Sequence, residues 1–496
     1  MASFIEFFIW LLVLKTFFVP LFIIPTGSMA ETLFGAHGTH ICPNCGIEYP
    51  VGFDRAPGRK PGDPPQVRCP NCRWTQPYSQ IKRQLKPTAG DRIIVHGWPY
   101  EFGGYFGPRN WDVIVFRNPA SPSENYIKRL IGLPGQKIEI INGDIFIDDK
   151  VARKPRPAQR SLWFNYYDHD YPPERPARTA RYLPHWSDLD RETAWRDVAT
   201  RTPIFDGVGK QRGEIRFLTT EGAATPFCDI TDEYGYNAPG RGGPPYSVSD
   251  IRISCDLLIE QGDGYFELAT VKHRNRYIAT LKADGSLSLD REDSRGQRVN
   301  LGTGIAPLGD GPLRFALAVV DHSATIEIAG KPVVFWQDDG LTRGRAIELA
   351  LAEQNNHNAA AAAQKITLAA EDLKLSLAHL KIERDVYYTW RSPPRRNTPH
   401  AVQGHPLTLD QGEYFVLGDN SPSSLDGRFW DKMDARLEGT GYKLGTVPAD
   451  QMIGRAFFVY WPGFLPLWKS EPIFQFGPRS SGPNLLPNFG RIRWIY

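Results

Sequence analysis

The sequence predicts a mainly β protein with one N-terminal transmembrane helix and a β domain interrupted by two insertions. Three observations carry this reading. Glycine and proline are abundant, at 46 and 42 residues, which favours turns over long helices. Short apolar runs bounded by turn residues recur along most of the chain. A single long apolar stretch stands at the N-terminus. The 496 residues exceed what one core organises, so two or three domains are expected, and 41% hydrophobic residues supply their cores. With 58 basic against 55 acidic residues and no long basic run, nothing points to nucleic acid as a partner.

Residues Phe4 to Ile24 are apolar apart from Glu6, Lys15 and Thr16. A helix of about 18 residues reaches about 27 Å, close to the thickness of a bilayer core. Within an anchor segment 1–24 the expected span is 2–19, with the Lys15 ammonium snorkelling to the outer interface. Pro20 and Pro25 turn the chain from helix to extended backbone. No Lys or Arg lies between Lys15 and Arg55, so the flank lacks the charge that retains a loop in the cytoplasm, and the bulk of the protein is expected outside. A cleaved secretory signal is the alternative; the absence of a basic leading region argues against it.

Residues 35–88 form a polar, Pro/Gly-rich module holding Cys42, Cys45, Cys69 and Cys72. Two Cys-x2-Cys pairs, each enclosing Pro-Asn, can close a tetrahedral four-sulfur site, and a module this short needs such a staple. A zinc ribbon is expected, with two disulfides as the alternative under oxidising conditions. A catalytic zinc is not expected, because four thiolates leave no open position. His37 and His40 read as loop residues, and Cys228 and Cys255 as either a disulfide or two buried thiols.

Residues 89–150 read as strands, Arg92 to His96, Val113 to Phe116, Lys137 to Ile141 and Asp144 to Ile147, with a hairpin turn at Asn142-Gly143. Residues 151–204 show no period and read as an irregular connection. From 205 to 390 many short strands separated by turns such as Asp284-Gly285 predict an antiparallel sandwich, similar in rhythm to the concanavalin-like group. Residues 391–470 resume the first β domain, and 471–496 form a Trp/Arg-rich tail.

Four segments carry a family resemblance. Ile24-Pro25-Thr26-Gly27-Ser28-Met29, Gly90-Asp91-Arg92-Ile93-Ile94-Val95, Tyr126-Ile127-Lys128-Arg129 through Gly135, and Gly418-Asp419-Asn420 with Ser424, Asp426 and Arg428 resemble, in order, the conserved boxes of bacterial type I signal peptidases. The resemblance implies a split antiparallel catalytic domain and a serine endopeptidase that uses Ser28 as nucleophile and Lys128 as base. A serine hydroxyl needs a base, and a lysine can serve only when burial or nearby positive charge keeps it neutral at working pH. It further implies an oxyanion hole from Thr26 Oγ and the Ser28 backbone N–H, Ser424 holding the Lys128 amine, and Asp419, Asp426, Arg428 and Arg129 in support. Its substrates would be precursor proteins cut after small residues at the outer face of the bacterial inner membrane, with lipid around the anchor and no cofactor in the cleavage.

Several positions depart from the family pattern: Glu31, Asn110-Trp111-Asp112, Gln136, Ser421 and Gly427. They leave the Ser28/Lys128 pair intact and put rate and substrate preference in question. Two other readings compete. One is a silent membrane-anchored adaptor binding partners through ribbon and sandwich, against which the retention of Ser28, Lys128 and Ser424 argues. The other is a self-cleaving Ser/Lys protease, against which the N-terminal span argues. No ligand is assigned to the sandwich.

Overall fold

A computed structural model describes residues 6, 20–53, 66–97, 100, 104–174, 184–188, 194–209, 212–219, 228–237, 245–354, 366–388, 399–461, 464–465, 486–487 and 491–496. The expected span at 2–19 lies outside them, Glu6 excepted, as does the Ala-rich stretch 359–363. Among the described residues no helix is long and apolar enough to cross a membrane.

Eight strands form the split β domain: β1 (Leu21–Ile23), β2 (Arg92–His96), β3 (Val113–Asn118), β4 (Ser121–Gly132), β5 (Glu413–Leu417), β6 (Val447–Pro448), β7 (Met452–Trp461) and β8 (Arg493–Trp494). They pair antiparallel in the order β1-β2-β7-β3-β4-β5-β6, with β8 beside β7. Both faces of the sheet are covered, which is why β3 reads as an uninterrupted apolar run. Val113, Val115 and Ile127 join Ile93, Val459 and Met29 in one core, while Ile114, Phe116, Leu130 and Val416 join Trp430 and Val447 in another.

The hairpin of Lys137–Ile141 and Asp144–Ile147 turns at Asn142-Gly143, whose φ angles of 50° and 91° are those a two-residue primed turn requires. Leu407–Thr408, from beyond the sandwich, pairs with Lys137–Ile141. The two halves of the domain are thus stitched together around the insertion at this sheet and at the β4/β5 pairing.

The sandwich consists of two antiparallel sheets. One contains Phe164–Asp168, Trp195–Arg196, Ile204–Asp206, Ile251–Gln261, Leu313–Val320, Ser323–Ile328, Lys331–Gln337 and Lys374–Arg384. The other contains His185–Asp188, Gly213–Leu218, Tyr265–Lys272, Asn275–Lys282, Ser286–Glu292, Arg298–Ile305 and Thr367–Glu371. Phe205, Ile253, Phe315 and Leu377 of the first meet Phe217, Phe266, Leu281 and Leu368 of the second in one core. Cys228 and Cys255 are free thiols within it.

Two stretches differ from expectation. Residues 151–204 are not merely a connection: they hold a helix, Arg156–Leu162, and the strand Phe164–Asp168, which pairs with Lys374–Arg384. The sandwich therefore starts before residue 205. Its first strands have two to five residues, too few to show a period. Helix Arg343–Gln354 shows no apolar stripe in the sequence, because among its described side chains only Ala346 and Ala350 are buried, against Ile141 and Phe146.

A buried charge cluster joins sandwich to β domain. Lys154 Nζ pairs with Asp321 at 2.5 Å and Asp385 at 2.7 Å. Lys272 pairs with Asp250, and with Asp144 at 3.3 Å, while His322 Nε2 lies 3.1 Å from Asp144. Removing one partner from such a pair strands an uncompensated charge, at about 3–5 kcal/mol, so the contact resists separation of the two units.

Candidate active site

β1 delivers the chain into a tight turn. Ala30 N donates to Gly27 O at 3.0 Å and Leu33 N to Met29 O at 2.8 Å. Met29, Ala30 and Leu33 are buried without exposure, whereas Ser28 is only half-buried. The serine thus sits on an anchored loop with its side open. Asn420 holds the turn from outside: its backbone N–H donates to Ser28 O at 3.1 Å and its Nδ2 to Gly27 O at 2.9 Å.

Lys128 lies in β4, opposite Ile114 of β3. Its Nζ donates to Ser28 Oγ at 2.7 Å and to Ile127 O at 3.0 Å, and the residue is 4% exposed. Burial pushes the amine down from the ordinary 10.5 to about 8; Asp426 and Asp419 pull it upward and Arg428 pushes it down. The two carboxylates would pull harder if they were unpaired. Instead Arg129 clasps Asp419 through two bonds of 2.8 and 2.7 Å, and Arg428 clasps Asp426 likewise at 2.8 and 2.7 Å. Both pairs are wholly buried, a setting in which bidentate geometry is needed to offset desolvation. As neighbours in a strand Lys128 and Arg129 diverge, one reaching Ser28 and the other Asp419.

The remaining expected residues are placed as follows. Thr26 is half-buried, with its main chain so close to Gly35 that a Cβ there would fall 2.3 Å from Thr26 C. Ser424 is buried and its Oγ makes no hydrogen bond among the described residues; it faces Gly418, where an added Cβ would lie 2.1 Å from it and 2.6 Å from Ser28 O. The departures from the family pattern are absorbed locally. Ser421 accepts from Arg428 at 2.9 Å, Gln136 Oε1 accepts from Leu133 N at 2.8 Å, and Gly427 leaves room for Gly445 O and Phe415. Glu31 is half-exposed by area, yet desolvation raises its pKa, with Arg384 and Arg491 opposing.

Sequence reasoning missed a second layer. Asp91, fully buried, accepts from Phe34 N at 3.0 Å and pairs with Arg491 of the tail at 3.2 Å. Arg493 donates to Thr32 O, and Tyr496 O accepts from Arg129 at 2.8 Å, so the tail closes over the Ser28 loop. Tyr234, from the sandwich insertion, donates to Asp419 O at 2.8 Å. The Gly90-Asp91 box hinted at the first contact; no local pattern announced the others.

Cys42, Cys45, Cys69 and Cys72 converge, buried, with all four sulfurs within 4.8 Å of one another. The pairs Cys42/Cys72 and Cys45/Cys69 are 3.6 and 3.7 Å apart. A tetrahedral zinc with bonds of about 2.3 Å would hold its sulfurs about 3.8 Å apart, so the residues present fit that ion, and all four are free thiols rather than disulfides. Backbone N–H groups of Asn44 and Asn71 point at Cys42 and Cys69 sulfur, each at 3.4 Å. His37 and His40 lie in a strand, His37–Ile41, rather than a loop, bonded to Gly35 O and Gln76.

An amine within hydrogen-bond reach of a serine hydroxyl can take its proton once neutral, and Lys128 and Ser28 stand at that distance. The family described as signal peptidase, peptidase S26, matches residues 73–188 and 328–461, half of the chain; these contain Lys128, Asp419, Ser424, Asp426 and Arg428, while Ser28 precedes them. The chain belongs to this signal peptidase family. Signal peptidase I of Rickettsia typhi (strain ATCC VR-144 / Wilmington) is 56% identical over 43 residues, and that of Rickettsia felis (strain ATCC VR-1525 / URRWXCal2) 54% over 43 residues. Each match covers 9% of this chain and only 16% of the relative's length. Among solved structures, the carbohydrate-binding module CBM66 from Bacillus subtilis aligns with 40% of this chain and 94% of its own at 12% identity and a TM-score of 0.24. The laminarinase from Rhodothermus marinus aligns with 45% and 98% at 8% identity and a TM-score of 0.26. Scores this low establish no shared fold.

Proposed function

We propose that this chain is a membrane-anchored serine endopeptidase that removes signal peptides from exported precursors. The observation that carries the reading is the buried Lys128 amine, held near pKa 8 and 2.7 Å from Ser28 Oγ. Ser28 Oγ attacks the scissile carbonyl while neutral Lys128 takes its proton, and the oxyanion is received by Thr26 Oγ and the Ser28 backbone N–H. The C–N bond then breaks, Lys128 returns the proton to the leaving amine, and the Ser28 ester is hydrolysed by water that Lys128 deprotonates. Ser424, whose buried hydroxyl makes no hydrogen bond among the described residues and lies against Gly418, is the residue we assign to hold the amine. Arg129, Asp419, Asp426 and Arg428 fix the surrounding loop.

In this reading residues 2–19 cross the bacterial inner membrane once, the β domain stands on its outer side, and cleavage follows small residues of the A-x-A type. The four cysteines hold a structural zinc that closes the ribbon, and the concanavalin-like sandwich serves as scaffold or protein-binding module. No cofactor takes part in cleavage. The test compares detergent-solubilised wild type, Ser28→Ala and Lys128→Ala on a precursor with an Ala-x-Ala site. Cleavage by wild type and none by either folded variant is expected. A wild type that cuts no precursor, or a Ser28→Ala protein that still cuts, would leave a membrane-anchored adaptor as the better description.

A further inference from the structure

Residues 228–237 leave the sandwich and lie across the ribbon, the nucleophile turn and the Gly418-Asp419-Asn420 loop. Their base is fixed by buried Arg384, which donates to Asp232 O at 3.0 Å. Glu233 accepts from Arg68 of the ribbon at 2.8 and 2.9 Å. Tyr236 O accepts from Gly52 N at 2.9 Å, and its ring covers Gly27 so closely that a Cβ there would fall 2.1 Å from Cε1. Asn237 meets Asn420 in a reciprocal amide pair: Asn237 Nδ2 donates to Asn420 Oδ1 at 2.7 Å, and Asn420 Nδ2 to Asn237 Oδ1 at 2.9 Å.

With Asn237 in place Asn420 is 1% exposed, so its amide is satisfied by protein partners. An amide NH2 has two hydrogens, and here one serves Asn237 while the other serves Gly27 O at 2.9 Å. The terminal torsion of asparagine is soft, and partners alone decide which way the amide faces. Turned over, Asn420 would set its own oxygen against Gly27 O. Without Asn237, both bonds that fix this orientation from outside the turn are lost.

We propose that the inserted sandwich is the positioning element of the nucleophile: Asn237 locks Asn420, and Asn420 locks the Gly27–Ser28 peptide. The proposal rests on the reading of Ser28 as nucleophile. Asn237 is then a positioning residue, acting on turnover and not on substrate affinity. Misplacement of a reacting group by about 1 Å can cost about 100-fold.

The experiment measures kcat and KM of the full chain in detergent on an Ala-x-Ala precursor, with thermal unfolding alongside. For Asn237→Ala, kcat should fall at least about 10-fold with KM within about two-fold. Asn237→Asp keeps an acceptor for Asn420 Nδ2 but cannot donate to Asn420 Oδ1, so it should share the loss. Asn420→Asp accepts from Asn237 yet cannot donate to Gly27 O, so it should reproduce the loss, and it decides the matter if Asn237→Ala does not fold. A plateau kcat near wild type in Asn420→Asp, or in folded Asn237→Ala or Asn237→Asp, overturns the proposal. If wild type cuts nothing, or Ser28→Ala cuts, the reading of Ser28 falls first and takes this proposal with it.

Discussion

Replacing Lys128 by methionine should stabilise the protein at neutral pH while abolishing turnover, and the size of the gain follows from burial. In the unfolded chain a lysine keeps its proton up to about 10.5; folded, Lys128 releases it near 8. Between those values the unfolded state binds more protons, so wild-type stability climbs with pH. Below about 8 both states are protonated and the whole penalty, about 3 kcal/mol, stands. Above about 10.5 it has vanished. Methionine keeps the length of the stem without the amine, and its stability lacks this titration. Two hydrogen bonds, to Ser28 Oγ and Ile127 O, are lost with the amine and offset the gain by about 1–2 kcal/mol. A net advantage of about 1–2 kcal/mol is therefore expected at pH 7, reversing as wild type recovers about 2.5 kcal/mol by pH 10. Urea unfolding of both proteins in detergent, followed by tryptophan fluorescence from pH 6 to 10, reads this directly. A stability difference that stays flat across that range refutes the argument that burial depresses Lys128.

The same shift fixes the acid limb of the rate profile. At pH 7 about 9% of the amine is neutral, against about 0.03% for an unshifted lysine, so kcat/KM should rise tenfold per pH unit and level above 8; a limb centred near 10 contradicts this. Gly27→Ala should lower kcat sharply, because its methyl meets the Tyr236 ring, and Tyr236→Ala in the same chain should restore part of the loss; additive effects in the double-mutant cycle would show that the two residues do not meet. The ribbon should carry one zinc per chain by elemental analysis, and cobalt exchange should give the spectrum of a tetrahedral thiolate site, lost in Cys42→Ser; a metal-free, fully folded wild type argues against the zinc assignment.

Much of the fold could be read because its signals are local. Asn142-Gly143 specifies its turn by two positive φ angles, and Val113 to Phe116 are apolar on both faces because both are covered. The Ser28 and Lys128 boxes are likewise short, and the structure brings their side chains within 2.7 Å, while the Cys-x2-Cys spacing pairs its sulfurs without reference to the rest of the chain. The unread parts depend on distance. Asn237 belongs to no apolar period and no turn signature, and its meaning comes from Asn420, 183 residues away. Arg491 looks like any tail arginine until Asp91, 400 residues earlier, is found buried beside it. The helix at Arg343–Gln354 was invisible because two alanines suffice to seat it.

The pairing of β4 with β5 has a consequence for the order of events during synthesis. Arg129 and Asp419 are 290 residues apart, and the whole sandwich is made between them. Contacts of such long range form late, since the loop they close must first be compacted. Ser28 and Lys128 are both translated early, yet the Asp419, Asn420 and Asp426 that fix their surroundings come only after the insertion has emerged. A nascent chain therefore carries Ser28 and Lys128 long before their surroundings exist, and the sheet between them closes only once β7 and the tail follow the Gly418-Asp419-Asn420 loop.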